Sequence, residues 1–175
     1  MKTRSGIVIV LIAIVALLLW TAPVLAASQL NPYEQQLLGL VNKERDRHGL
    51  AALRVNAKLV DSARAHSADM GEQKYFQHDS PAGETWSSRI IRYGYTDQGC
   101  SSWKAGEDIY WGAGLLSSPV AALQAWMRSA DHRMVIMTKA FRDIGIGAVK
   151  TDDGYGSCTG PVWFFTLDVG RRIVR

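Results

Sequence analysis

The chain is poor in cysteine, carries no strong charge of either sign, and contains no repeat. Two cysteines in 175 residues are too few for a densely stapled scaffold. Neither follows the apolar stretch near the start, which argues against a lipid-modified cysteine there. No internal repeat, low-complexity block or long linker divides the sequence, so it reads as one domain. Formal net charge is +4, and it falls to +2 once Lys2 and Arg4 are set aside. That excess is too mild for a nucleic-acid partner. The basic runs at 43–47 and 171–175 read as a solvated helix face and a loose tail. Two compact catalytic signatures are also missing: His-Glu-x-x-His on one helix and the Gly-x-Ser-x-Gly elbow.

What is present begins with an export signal. Lys2 and Arg4 precede an uncharged apolar run at 7–20, and Val24-Leu-Ala26 fits the small-residue rule for cleavage. Residues 6–27 are also about long enough to span a bilayer, for which roughly 20 apolar residues suffice. Residues 1–27 are therefore expected to be a signal peptide or an N-terminal membrane anchor. Residues 28–175 are expected to form a single domain, secreted or anchored at the outer face of the cell membrane. Membrane contact is expected only through an uncleaved N-terminal segment. In an oxidising compartment Cys100 and Cys158 read as a disulfide, with two free buried thiols as the alternative. Such a bridge would contribute up to about 4 kcal/mol in the chain-entropy picture.

Caps and periodicity mark the elements. Asn31-Pro32 with Glu34 opens a helix whose apolar face is Leu37, Leu38, Leu40 and Val41, closed by Gly49. Asn56 caps a second, with Leu59, Val60, Ala63, His66 and Met70 at helical spacing and Gly71 as its end. A shorter helix is expected over 84–93. Ser118-Pro119 starts another, with Val120, Leu123, Trp126 and Met127 inward, and a further turn spans 131–137. From Ile144 the period changes to two, and 161–168 is β-branched and aromatic, which reads as an antiparallel hairpin with a long loop. A further strand is expected over 104–111. Helices first and strands last indicate an α+β layered domain.

Several strings, taken together, resemble one family. They are Leu38-Gly-Leu-Val-Asn-Lys-Glu-Arg45 with His48-Gly-Leu50, then Ala63-Arg-Ala-His-Ser-Ala-Asp-Met70 and Tyr75-Phe-Gln-His-Asp-Ser-Pro81. Gly106-Glu-Asp108, Trp126-Met-Arg-Ser129, His132-Arg133 and Ile144-Gly-Ile-Gly147 follow in order. The chain is similar to prokaryotic members of the CAP superfamily of cysteine-rich secretory, antigen 5 and pathogenesis-related proteins. The resemblance covers roughly 32–169. It implies an α-β-α sandwich with a small antiparallel sheet between helices. It also implies a cleft holding two histidines and two acidic residues. Carried over by position, these are His78, Glu107 and His132, while the second acidic position holds Ser129. Two smaller departures are Asp108 for Asn and Val135 for Asn.

The residue types set what such a site does. Two imidazoles and a carboxylate have the composition of an open zinc site, with His78 and His132 as ligands and Glu107 as orienter. Glu107, Ser129 and Asp131 are candidate catalytic groups. Asp131 is a candidate for the missing carboxylate, and Ser129 is placed to cap the helix after it. His66 reads as a packed core residue and His48 as a surface one. Trp103, Tyr110 and Trp111 read as core, or as the wall of an apolar cleft. The leading expectation is an extracellular binding module for a small ligand, metal, lipid or cell-surface component. A metal-assisted hydrolase using His78, His132 and Glu107, and a lipid or sterol carrier, are the alternatives.

Overall fold

The structure, a computed structural model, describes residues 29–175. The expected leader at 1–27 lies outside the described residues. Among those described, no helix is long and apolar enough to cross a membrane.

Helix α1 (Pro32–Arg47) starts as its sequence dictates. Asn31 Oδ1 accepts from the amides of Tyr33 and Glu34, and Glu34 returns a bond to the Asn31 amide at 2.8 Å. Glu34 is fully buried and also takes Arg64 Nε at 2.8 Å, so this cap joins α1 to the helix beneath. Strand β1 (Arg54–Val55) is brief. Helix α2 (Ala57–Gln73) is capped by Asn56 and runs past Gly71, where a Cβ would lie 3.5 Å from the Phe164 ring. Burial there outweighs glycine's helix penalty of about 1 kcal/mol. The helix stops at Lys74, in the left-handed region at φ 58°. Helix α3 (Trp86–Arg92) starts two residues later than expected, because Thr85 supplies the cap. Strand β2 (Cys100–Ala113) is longer than the expected 104–111. After it come α4 (Pro119–Arg128), α5 (Ala130–Met137), β3 (Asp143–Thr151) and β4 (Val162–Val174). Val120, expected inward on α4, is 40% exposed, and Ala122 takes the buried position instead.

The sheet order is β1-β3-β4-β2. The β2–β4 and β3–β4 pairs are antiparallel as expected, while the two-residue β1 runs parallel to β3, so the sheet is mixed. Ile144, Ile146 and Ala148 of β3 join Phe165, Leu167 and Val169 of β4 in the main core beneath α1, α4 and α5. Gly145 and Gly147 face α2. A Cβ on Gly145 would lie 2.0 Å from the Leu59 carbonyl carbon, and one on Gly147 would lie 2.3 Å from the Ala63 carbonyl oxygen. This alternation is what lets α2 press directly onto the sheet. The result is helices on both faces of a small sheet, the α-β-α sandwich expected.

The expected disulfide does not form: Cys100 and Cys158 are both free thiols. Cys100 pairs with Val174 at one end of the β2–β4 ladder, and Val162, four residues after Cys158, pairs with Ala113 at the other. At a strand rise near 3.3 Å per residue the ladder is about 40 Å long. A bridge needs Cα atoms within about 7 Å.

Candidate functional site

Strand β2 lies at an edge of the sheet, and its side chains alternate between two environments. Ile109 and Trp111 face the α2 side, where Ile109 packs with Met70 and Phe164. Tyr110 faces the main core beneath α4 and α5. At the free edge the segment after α2 and the α4–α5 junction come round from opposite faces. They enclose a cleft of about 500 Å³ whose lining includes Phe76, His78, Trp111, Ser129 and His132. The Trp126 indole donates to the Ile109 carbonyl at 2.9 Å, which ties α4 to the edge strand.

His78 and His132 both line this cleft. Glu107 stands behind His78 with its side chain 1% exposed. Its Oε1 lies 2.8 Å from His78 Nδ1, and its Oε2 accepts from Arg89 Nη2 at 2.5 Å. An ionised carboxylate only accepts hydrogen bonds, so Nδ1 of His78 carries the hydrogen and Nε2 is the free nitrogen. Arg89 also donates to the His78 carbonyl at 3.2 Å, which secures the backbone of the same residue. Burial holds the His132 imidazole below its ordinary pKa, and the charge of His78 adds to the effect while Asp131 opposes it.

His66 is a buried core residue, as expected. Its Nε2 lies 3.0 Å from the Gln77 carbonyl, and burial lowers its pKa to about 4. Tyr75 lies beside it and donates to Asp69 at 2.5 Å. His48 is exposed at the end of α1. Trp103 donates to the Tyr95 carbonyl and packs in a separate cluster with Leu59 and Ile90, away from the cleft.

Three expectations need correction. Ser129 occupies the cap position of α5, but its hydroxyl makes no capping bond; it lines the cleft instead. Asp131 is exposed and is not part of the cleft lining, so it does not restore a second carboxylate there. The zinc reading also fails on donor chemistry. A zinc site takes three or four protein ligands, and among the described residues no three His, Cys, Asp or Glu groups are placed to hold a metal. With Nδ1 of His78 engaged by Glu107, the two imidazoles can offer a metal one nitrogen each, fewer than the three or four protein ligands zinc takes, and the residues do not fit zinc.

Sequence reasoning missed Arg89 and Asp168. Both left a signal: Arg89 precedes the apolar pair Ile90-Ile91 on a short helix, and Asp168 interrupts a β-branched, aromatic strand. Both are buried, at 3% and 0% exposure. Asp108, on β2 beside Glu107, is buried with neither oxygen hydrogen-bonded. Burial, and after it the charge of Glu107, pushes its carboxyl up to about 8.

An α-β-α sandwich with paired histidines at the edge of its sheet defines a class, and comparison with known proteins agrees. The family model for the cysteine-rich secretory protein (CAP) family matches residues 38–169, and the chain belongs to that family. It is 35% identical over 138 residues to the uncharacterized protein YkwD of Bacillus subtilis, covering 79% of this chain and 48% of that one. It thus spans about half the length of that relative. Among solved structures it is similar to an extracellular protein containing an SCP domain from Bacillus anthracis, at TM-score 0.61 and 32% identity. That match covers 82% of this chain and 40% of the other. An outer surface protein of Borrelia burgdorferi shares the fold at TM-score 0.60 and 19% identity, with 81% and 92% covered.

Proposed function

We propose that the protein is an exported binding module whose cleft holds a small ligand with an apolar body and a polar end, without turning it over. The position of Glu107 carries this reading. A hydrolase of this composition needs a carboxylate in contact with the reacting water. Here both carboxylate oxygens face protein donors, His78 and Arg89, and the group is closed off from the cleft. Ser129 and His132 form no hydrogen bond that would activate the hydroxyl, whereas a Ser–His pair requires one. Phe76 and Trp111 offer apolar walls, and His78 and His132 offer polar contacts, the usual composition of a ligand pocket. A lipid tail, an aromatic group or a cell-wall fragment fits that chemistry. Export is supported by the apolar leader, and by an extracellular and an outer surface protein among the similar structures.

Titration by tryptophan fluorescence against fatty acids, aromatic acids and soluble wall fragments tests the reading, with a His78→Ala/His132→Ala variant in parallel. Saturable binding of an unaltered ligand is expected, weakened by at least about tenfold in the variant. Conversion of any of these compounds to product, lost in His78→Ala, would replace binding with catalysis.

A further inference from the structure

The interior behind the cleft contains more acid than base. Glu107 on β2 and Asp168 on β4 are direct cross-strand partners, so their side chains share a face. On the other side of Asp168 the partner in β3 is Gly145, which contributes no side chain. From α3 comes Arg89, the single buried cation acting on both carboxyls. From α2 come Ser62 and His66; His66 remains neutral near pH 7, and Asp69 beyond it accepts from Tyr75. His78 reaches Glu107 from the cleft side. Two carboxylates directly opposed on adjacent strands, with one guanidinium bonded to Glu107 alone, cannot both be ionised at neutral pH without large repulsion.

The hydrogen bonds decide which of them keeps a proton. Glu107 receives Arg89 Nη2 and His78 Nδ1, two donors that favour its anion. Asp168 is fully buried with no charged donor bonded to either oxygen; its polar neighbours are the Ser62 hydroxyl and the Glu107 carboxyl. We propose that Asp168 is a positioning residue for the cleft, a neutral carboxylic acid behind Glu107. By remaining uncharged it leaves Glu107 as the anion of this pair, directed at His78, and His78 then turns Nε2 toward the cleft as a hydrogen-bond acceptor. The inference rests on the binding reading of the cleft and adds the means by which its accepting atom is set. Burial, followed by the charge of Glu107, acts in the same direction, raising the Asp168 carboxyl well above the usual carboxylate range.

Infrared spectroscopy of protein labelled with ¹³C in the aspartate carboxyls tests this on the Asp108→Asn background. In that background Asp168 is the one remaining buried aspartate among the described residues. A labelled protonated-carboxyl band at pH 7 is expected. Its absence, with only carboxylate bands present, would overturn the proposal, and no substitution at 168 is needed to see it. The ¹⁵N shifts of the His78 ring, which tell the Nδ1-protonated tautomer from the Nε2-protonated one, supply the second readout. Asp168→Asn keeps a neutral group of the same shape behind Glu107, so the Nδ1-protonated form should persist, and its loss would mean that Asp168 acts as an anion. Glu107→Gln is expected to raise the share of the Nε2-protonated form, because an amide can donate to Nδ1 where a carboxylate only accepts. No change there would sink the orienting role of Glu107, and with it the cleft reading, whatever the infrared band shows.

Discussion

Trp126 and Ile109 are joined by an indole-to-carbonyl hydrogen bond of 2.9 Å, with both residues buried. The carbonyl belongs to an edge strand and has no neighbouring strand to serve it, so helix α4 supplies the donor. Trp126→Phe removes that donor and part of the ring that fills the core. We expect unfolding free energy to fall by roughly 2–4 kcal/mol, combining a buried unsatisfied carbonyl with a small cavity. Urea denaturation measures this, and an unchanged midpoint would mean the edge is closed by something other than the indole.

Asp108 imposes a pH dependence whose sign follows from its raised pKa. Below about pH 4 it is protonated in both folded and unfolded chains and has no effect. Between about 4 and 8 the unfolded chain releases the proton while the folded chain retains it, so stability is lost as pH rises. The full loss is on the order of 5 kcal/mol. Asp108→Asn is isosteric and neutral. Its gain in Tm over the parent should be small at pH 4 and largest near pH 8, measured by calorimetry across that range. A gain independent of pH would show that Asp108 does not titrate in this interval.

The two cysteines are predicted to be independent of one another. Unreduced protein in denaturant should react with a thiol reagent at both Cys100 and Cys158. Its Tm should be unchanged by reductant, and Cys100→Ser/Cys158→Ser should cost less than about 1 kcal/mol, since both side chains are half-exposed. A Tm that drops on reduction would require a bridge that the strand register does not allow.

Much of the fold is legible in local chemistry. Asn31, Asn56 and Ser118 each place a helix start where the sequence indicates, because a cap acts within three residues of itself. The Ile144-Gly-Ile-Gly147 alternation assigns the faces of β3 because side-chain period in a strand is two. Gly71 misleads for the opposite reason: its neighbour Phe164 is distant in sequence, and helix propensity alone takes no account of it.

The candidate site divides along the same line. The sequence by itself determined the family and the layered architecture, and it singled out His78, Glu107, Ser129 and His132 as candidates. The tertiary structure decided that Glu107 turns behind His78 rather than into the cleft. It recruited Arg89 and Asp168, aligned Asp168 opposite Glu107, and separated the two cysteines along the sheet. Each of these depends on the register between β2 and β4 and on the packing of α3 against β2. Those contacts join residues far apart in the chain, and no local spacing encodes them.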